Sequence, residues 1–322
     1  FMSQFSGITH YIRSQDWLKP IRNAGWLSIG RAVQGIVSLG TLALSTRILG
    51  IEGFGVLVLI HTLALAVAQL SRFQSWQAVA RYGADAMAKN DPVFFSRILN
   101  FSIWLDFLGV LIAAGMIYFG ADFLLPVLGV PADLVDAAKI YAVVAVILIN
   151  GGYTALGVMR LLDRFKGLAV QTVIEPLVRF GGVCVLYFAS ADIAVFLGIW
   201  AAALCLSKAV LIQQALVAMR EHGLWQGVSL SPQNLRAPVD GMWGFVWGTH
   251  ILSTIRMGQS HMPLLIVGAV LGPAAAGLFR VARQLADILV KPNRKLLEPA
   301  LFPELAKLSA NDALKARRKM VY

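Results

Sequence analysis

Apolar residues run along this chain in long, nearly unbroken blocks, separated by short polar intervals. A helix that crosses a bilayer needs about 20 mostly apolar residues, because lipid offers no partner for an exposed backbone amide. About eight blocks reach that length. They span 24–46, 55–72, 101–121, 135–159, 168–189, 193–219, 241–270 and 274–291. Within the fourth, 140–159 carries no charge at all. The seventh is too long for one straight crossing and contains Pro263, which predicts a kink or tilt. The pattern therefore predicts an all-α polytopic membrane protein with about eight transmembrane helices.

Composition agrees with the pattern. Of 322 residues, 58% are hydrophobic and 14% charged, and the mean hydropathy is +0.70. Soluble domains hold about 45–50% apolar and about 25% charged residues. A soluble enzyme, a disordered chain and a nucleic-acid module are excluded. The net charge of +11, from 28 Lys and Arg against 17 Asp and Glu, reads here as topology, with no nucleic-acid partner. Cytoplasmic loops keep Lys and Arg because these resist translocation. Bases cluster before the first block (Arg13, Lys19, Arg22) and between the second and third (Arg81, Lys89, Arg97, with Arg72 at the edge). They cluster again between the fourth and fifth (Arg160, Arg164, Lys166), between the sixth and seventh (Arg220, Arg236), and densely from Lys291 onward. The opposite loops hold Arg47 and Lys139. This alternation places the N-terminus in the cytoplasm. Trp26, Trp76, Trp104, Trp225 and Trp243 lie near cytoplasmic ends, where an aromatic belt is expected.

The first residues do not read as a cleaved signal. Phe1, Phe5, Ile8, Tyr11, Ile12 and Trp17 among polar residues suggest a short helix on the membrane surface, or alternatively a loosely ordered tail. Cys184 and Cys205 sit in apolar runs and read as small hydrophobes. There is no Gly-x-x-x-x-Gly-Lys-Ser/Thr, no His-Glu-x-x-His and no Cys-x-x-Cys, so neither a phosphate loop nor a recognisable metal site is expected, and no cofactor.

Two hairpin loops look alike. Leu49-Gly50-Ile51-Glu52-Gly53-Phe54-Gly55-Val56-Leu57 and Leu271-Gly272-Pro273-Ala274-Ala275-Ala276-Gly277-Leu278-Phe279 both read Leu-Gly, four residues, Gly, then two apolar residues. Chance likeness of small residues is the competing explanation. Their placement favours a repeat: one joins helices one and two, the other seven and eight. Six intervening helices give both copies the same orientation, a parallel repeat about an axis along the membrane normal. The expected organisation is a cytoplasmic amphipathic segment (1–23), a six-helix lobe (24–219), a cytoplasmic loop (220–240) and the start of a second lobe (241–322). Completing that lobe would take roughly 120–150 further residues, so a C-terminal truncation is expected.

These residues resemble a known family. Thr46-Arg47-Ile48-Leu49-Gly50-Ile51-Glu52-Gly53-Phe54-Gly55 looks like the first hairpin of the polysaccharide-biosynthesis, or O-antigen, flippases of the multidrug/oligosaccharidyl-lipid/polysaccharide exporter superfamily. The stretch from Leu271 to Ala282 resembles their seventh-to-eighth hairpin. Leu301-Phe302-Pro303-Glu304-Leu305-Ala306 resembles the segment after helix eight. The resemblance implies two six-helix lobes around a central cavity in the bacterial inner membrane. It implies translocation of an undecaprenyl-diphosphate-linked oligosaccharide by alternating access. It also implies membrane lipid, polysaccharide polymerases and glycosyltransferases as partners. One departure stands out: related proteins often carry an acid late in helix seven, where this chain reads Gln259-Ser260-His261-Met262.

An ionisable residue inside a span costs several kcal/mol unless paired or hydrated, and is a functional candidate by default. Arg31, Glu175, Arg179, Lys208, Arg256, His261, Arg280, Arg283 and Asp287 fall within the expected spans, with Asp106 near the start of the third. Glu175 and Arg179 are four apart and on one face, as are Arg283 and Asp287. Arg280, Arg283 and Asp287 form one stripe. Arg31, Arg179, Lys208, Arg256, Arg280 and Arg283 are the candidate substrate-binding cations, because Arg holds phosphate oxygens in bidentate fashion and stays charged. The competing reading has Lys208 and the helix-end arginines snorkelling to the interface. Asp106, Glu175, His261 and Asp287 are the candidates for ion coupling or pairing. His261 is alternatively a packing residue, and Pro176 a tolerated kink.

Two further classes compete with a flippase. A cation-coupled drug antiporter would favour acids inside the spans, whereas bases outnumber them here. A membrane-embedded glycosyltransferase or polymerase needs a sizeable external loop with acids or histidine; the longest, 122–134, has two acids and no histidine.

Overall fold

The computed structural model describes residues 18–189, 192–224 and 237–287. The N-terminal surface segment up to residue 17, Trp225, Arg236, the 301–306 motif and the basic stretch from Lys291 lie outside the described residues. The described residues are helical with connecting turns, and contain no strand. Five helical stretches are long and apolar enough to cross a membrane. The chain is a multi-pass membrane protein.

Helix α1 (Leu18–Leu70) has 53 residues. A straight helix of that length would reach about 80 Å, far beyond a hydrocarbon core of about 30 Å. Gly50 resolves this with φ 69 and ψ 173, a conformation that costs a side chain strain but glycine little. The arm after Gly50 is the most deeply packed segment, with Leu57, Leu59, Ile60 and Ala64 wholly buried.

The end opposite Gly50 holds two helix breaks, one at the expected end of the second block and one inside the fourth. The second arm of α1 stops at Leu70, and α2 (Ser75–Ala88) begins after Gln74, whose φ is 53. The fourth block, expected as one helix over 135–159, is in fact two: α4 (Val135–Asn150) and α5 (Tyr153–Leu161). Gly151 and Gly152 interrupt it, Gly152 at φ 90, and apolarity alone cannot register a glycine pair of this kind. Between the breaks runs α3 (Pro92–Val127). Asp91 caps it, accepting from Phe94 N at 2.8 Å, with Pro92 at the first position. Asp91→Ala is expected to lower stability by about 1 kcal/mol, read from the shift in thermal unfolding.

A 3-10 turn (Ala132–Leu134) precedes α4. Helices α6 (Phe165–Leu186) and α7 (Ile193–Glu221) are antiparallel neighbours. Gln171 Nε2 donates to Ser207 Oγ at 2.7 Å, and Arg164 pairs with Glu221 at the outer end. Pro176 is buried inside α6, which continues through it. Helix α8 (Met242–Ser260) packs against α1. It breaks at His261, and residues 262–278 resume as α9. The kink expected at Pro263 is therefore present two residues earlier, in the turn just before a residue that has no amide to donate to a helix.

A buried apolar cluster sits towards the end away from Gly50, where α2, α3, α5, α7 and α8 meet around Phe95, Phe101, Met159 and Val246. Outward faces stay apolar: Phe107, Leu111, Phe119 and Phe123 of α3 are exposed, as lipid-facing residues are.

The repeated hairpins meet each other. A Cβ on Gly55 would collide with the Pro273 carbonyl oxygen, and one on Gly277 would lie 2.5 Å from the Ile51 oxygen. With an offset of 222 residues between the copies, these are the same contact read in both directions.

The chain divides into two compact units, one through Leu278 and one from Phe279. The described part of the second, 279–287, is helical, with Arg280 exposed and Arg283 and Asp287 half-buried.

Candidate functional site

Polar and charged side chains inside the first unit fall into three levels. The level nearest Gly50 centres on His61 of α1, about 16 Å along the helix from that glycine. His61 Nδ1 lies 2.6 Å from Tyr141 Oη of α4. Its Nε2 lies 3.3 Å from Arg179 Nη2 of α6. Because guanidinium only donates, Nε2 accepts there, and Nδ1–H donates to Tyr141. Arg179 also pairs with Glu175 at 2.6 Å, its side chain only 15% exposed. The Trp200 ring of α7 lies 4.4 Å under the guanidinium and 4.9 Å edge-on from His61.

The second level lies eight residues further along α4 and α7, about 12 Å away. Lys208 Nζ donates to Ile149 O at 3.2 Å, a carbonyl freed by the Gly151–Gly152 break. The Tyr153 ring is shared by two cations: Arg72 at 4.1 Å and Lys208 at 5.1 Å. Arg72 Nε is buried with no hydrogen-bond partner. Asp106 of α3 binds both broken helices, accepting from Ser75 Oγ and from Thr154 N at 2.8 Å. Lys208 feels its charge, but the carboxylate is held by helix starts rather than by a cation. Asn150 donates to Ser71 Oγ at 2.9 Å and Gly109 O at 3.3 Å, closing the gap between α1, α3 and α4.

The third level is at the outer end of α5. Arg160 lies 4.0 Å over the Trp76 ring, and Arg31, exposed on α1, is close enough to interact with it electrostatically. Arg179, Lys208, Arg72, Arg160 and Arg31 thus form a file of five cations. It alternates with Trp200, Tyr153 and Trp76, whose faces stabilise cations at low cost in competing charge.

A separate polar seam joins α1 to α8. His261 Nε2 donates to Gln69 Oε1 at 3.1 Å, Gln69 Nε2 donates to Ser253 O at 3.1 Å, and Gln74 Nε2 donates to Ser253 Oγ at 2.7 Å. His250 Nδ1 donates to the Arg72 carbonyl at 2.8 Å. Arg256 is exposed on α8, away from the file. Arg280, Arg283 and Asp287 belong to the second unit.

The family model of the polysaccharide biosynthesis protein matches residues 21–309, most of the chain. The chain belongs to the polysaccharide biosynthesis protein family. It is also 30% identical to the inner membrane protein YghQ of Escherichia coli (strain K12) over 305 residues, 94% of this chain and 84% of that protein. No solved structure matches.

Within this family member, the file draws on residues that hydropathy obscures. His61 sits in the middle of the 55–72 block and meets the same criterion as Arg179, but is not among the candidates named above. Arg72 reads as a topology marker from sequence because it lies at a span edge. Tyr153 gives no signal in a search for Lys, Arg, Asp and Glu within the spans, and His250 lies in the seventh block. The sign for His61 is an ionisable group eleven residues from a hairpin glycine, near mid-membrane.

Proposed function

We propose that this chain is a flippase that carries a polyprenyl-diphosphate-linked oligosaccharide across the bacterial inner membrane for a surface polysaccharide. The observation that carries this reading is the file of five bases, four of them on aromatic faces, with Glu175 the one acid in a salt bridge with any of them among the described residues. A diphosphate head is doubly bidentate for Arg and needs fixed cations where water is scarce. The file runs from the largely covered Arg179 to the exposed Arg31. An anionic head would enter at Arg31 and Arg160, pass Arg72 and Lys208, and reach Arg179, its lipid tail staying in the bilayer.

The basic loops support a cytoplasmic N-terminus, which puts the exposed Arg31 end of the file on the side where lipid-linked sugars are assembled. The six-helix lobe followed by the start of a second, parallel lobe follows from the repeated hairpins. Their mutual contact closes the far end, as one state of an alternating-access cycle requires. The chemistry is transport rather than catalysis. Polymerases and glycosyltransferases acting on the same lipid would be functional neighbours.

The test is binding of a short polyprenyl diphosphate, and of the matching uncharged polyprenol, to the purified chain in nanodiscs. The diphosphate is expected to bind at least tenfold more tightly. Arg72→Ala and Lys208→Met should each cost about tenfold, equivalent to about 1.4 kcal/mol. Equal affinity for the two lipids, or unchanged binding in both variants, would sink the assignment.

A further inference from the structure

We propose that His61 is a proton-binding site whose occupancy excludes its hydrogen bond with Arg179, so that a proton is taken up when Arg179 moves onto an anionic group. The consequence for cargo rests on the diphosphate reading above; the proton site itself does not.

The geometry is specific. One nitrogen of Arg179, Nη2, serves both Glu175 Oε1 at 2.6 Å and His61 Nε2 at 3.3 Å. Its two hydrogens are thereby divided between a carboxylate and an imidazole. Since Nδ1–H is committed to Tyr141 at 2.6 Å, Nε2 is the single basic position left on the ring. A proton there would point at a guanidinium that can only donate, and two positive groups would face each other at hydrogen-bond distance. The imidazole is therefore held neutral by contact with Arg179.

Charged and titratable groups come towards the ring from several helices. From α4, Tyr141 faces the ring; from α6, Arg179 and Glu175; from α7, Trp200, with Lys208 two turns further on and interacting with Glu175. Helix α3 carries Asp106 at the level of Thr154, engaged with two helix starts. Helix α8 meets α1 two turns beyond His61, where His261 bonds to Gln69. When an anionic oxygen draws the guanidinium away, the Arg179 hydrogens pass from Nε2 and Glu175 to that oxygen. Nε2 is left facing Glu175 and the arriving anion, and accepts a proton from hydronium of the bulk solvent, whose O–H bond breaks to leave water. No covalent bond other than the new N–H forms, and the imidazolium adds one positive charge beside the anion. Proton and anion then favour each other's binding, by equal factors in both directions. The loaded site carries one negative charge fewer than the anion alone.

Two measurements on the full chain in nanodiscs test this. In the ligand-free protein at pH 6.5, nitrogen-15 histidine NMR reads the ring state, the His61 signal being the one lost in His61→Gln. Wild type should show Nε2 unprotonated, and Arg179→Gln should raise the doubly protonated population several-fold. An unchanged population in Arg179→Gln overturns the proton site. The second measurement is calorimetry of inorganic pyrophosphate binding at pH 7 in two buffers of different ionisation enthalpy. Wild type should take up close to one more proton per anion than His61→Gln, the ligand's own protonation cancelling in the difference. Equal uptake in the two proteins overturns the coupling. Absence of pyrophosphate binding altogether counts against the diphosphate reading, and the NMR result then decides the proton site alone.

Discussion

Asp106→Ala is expected to destabilise the chain by about 3–5 kcal/mol, the cost of removing one partner from a buried charged network. Its carboxylate accepts from Ser75 Oγ and Thr154 N, at the first turns of α2 and α5. Helix α2 starts after the turn at Ser71–Gln74, where the second span ends, and α5 starts after the Gly151–Gly152 break inside the fourth. A helix start presents unbonded amides and the positive end of its dipole, and one anion answers two of them. Alanine leaves the Thr154 amide buried without an acceptor and strips the negative charge from beside Lys208. Asp106→Asn keeps the shape and one acceptor, and should fall between. The comparison is Asp122→Ala, which breaks an ion pair with Lys139 at 2.7 Å whose carboxylate is 63% exposed; such surface pairs contribute little. Thermal unfolding in detergent should rank Asp106→Ala well below Asp106→Asn, and Asp122→Ala near wild type. Equal midpoints for Asp106→Ala and Asp122→Ala would remove Asp106 from this role.

How the site was read from the sequence follows from the same physics. Long apolar blocks declare themselves, because a lipid-facing helix must be apolar over its whole length. The helical stretches 92–127, 165–186 and 193–221 contain or closely match the blocks expected there. The Glu175–Arg179 spacing was legible for the same reason, since a four-residue separation sets both on one helix face. What was hidden is whatever depends on a break or on a partner distant in sequence. The Gly151–Gly152 interruption frees the Ile149 carbonyl for Lys208 and starts α5 beneath Asp106. Neither consequence follows from hydropathy, which scores glycine as nearly neutral. Arg72 looked like a topology marker, yet its guanidinium lies over Tyr153, 81 positions away. A search for cations without an acidic partner points to Arg31 and Lys208, but the aromatic faces that hold them or their neighbours become visible only when the helices are packed.

The repeated hairpins allow a sharper test, because their two glycine positions work by different mechanisms. Gly50 and Gly272 have φ of 69 and 84, with nothing within 4 Å of a built Cβ. Alanine there strains only its own backbone, at about 1–3 kcal/mol each. The two substitutions sit in different loops with no shared atoms, so their effects should add. Gly55 and Gly277 are ordinary helical glycines whose added methyl groups would strike the opposite hairpin: Gly55 against the Pro273 carbonyl, Gly277 against the Ile51 carbonyl. Backbone atoms cannot swing aside as a side chain would, so each alanine must push the hairpins apart, at about 1–3 kcal/mol. Once one methyl has opened the gap, the second enters space already made. Gly55→Ala with Gly277→Ala should therefore cost clearly less than the sum of the singles, while Gly50→Ala with Gly272→Ala should cost the sum. Gly244→Ala, on an open helix face, gives the baseline. Additive behaviour at Gly55 and Gly277 would mean that the hairpins do not meet. Sub-additivity there alone would establish that the two copies of the repeat hold each other through one contact made twice.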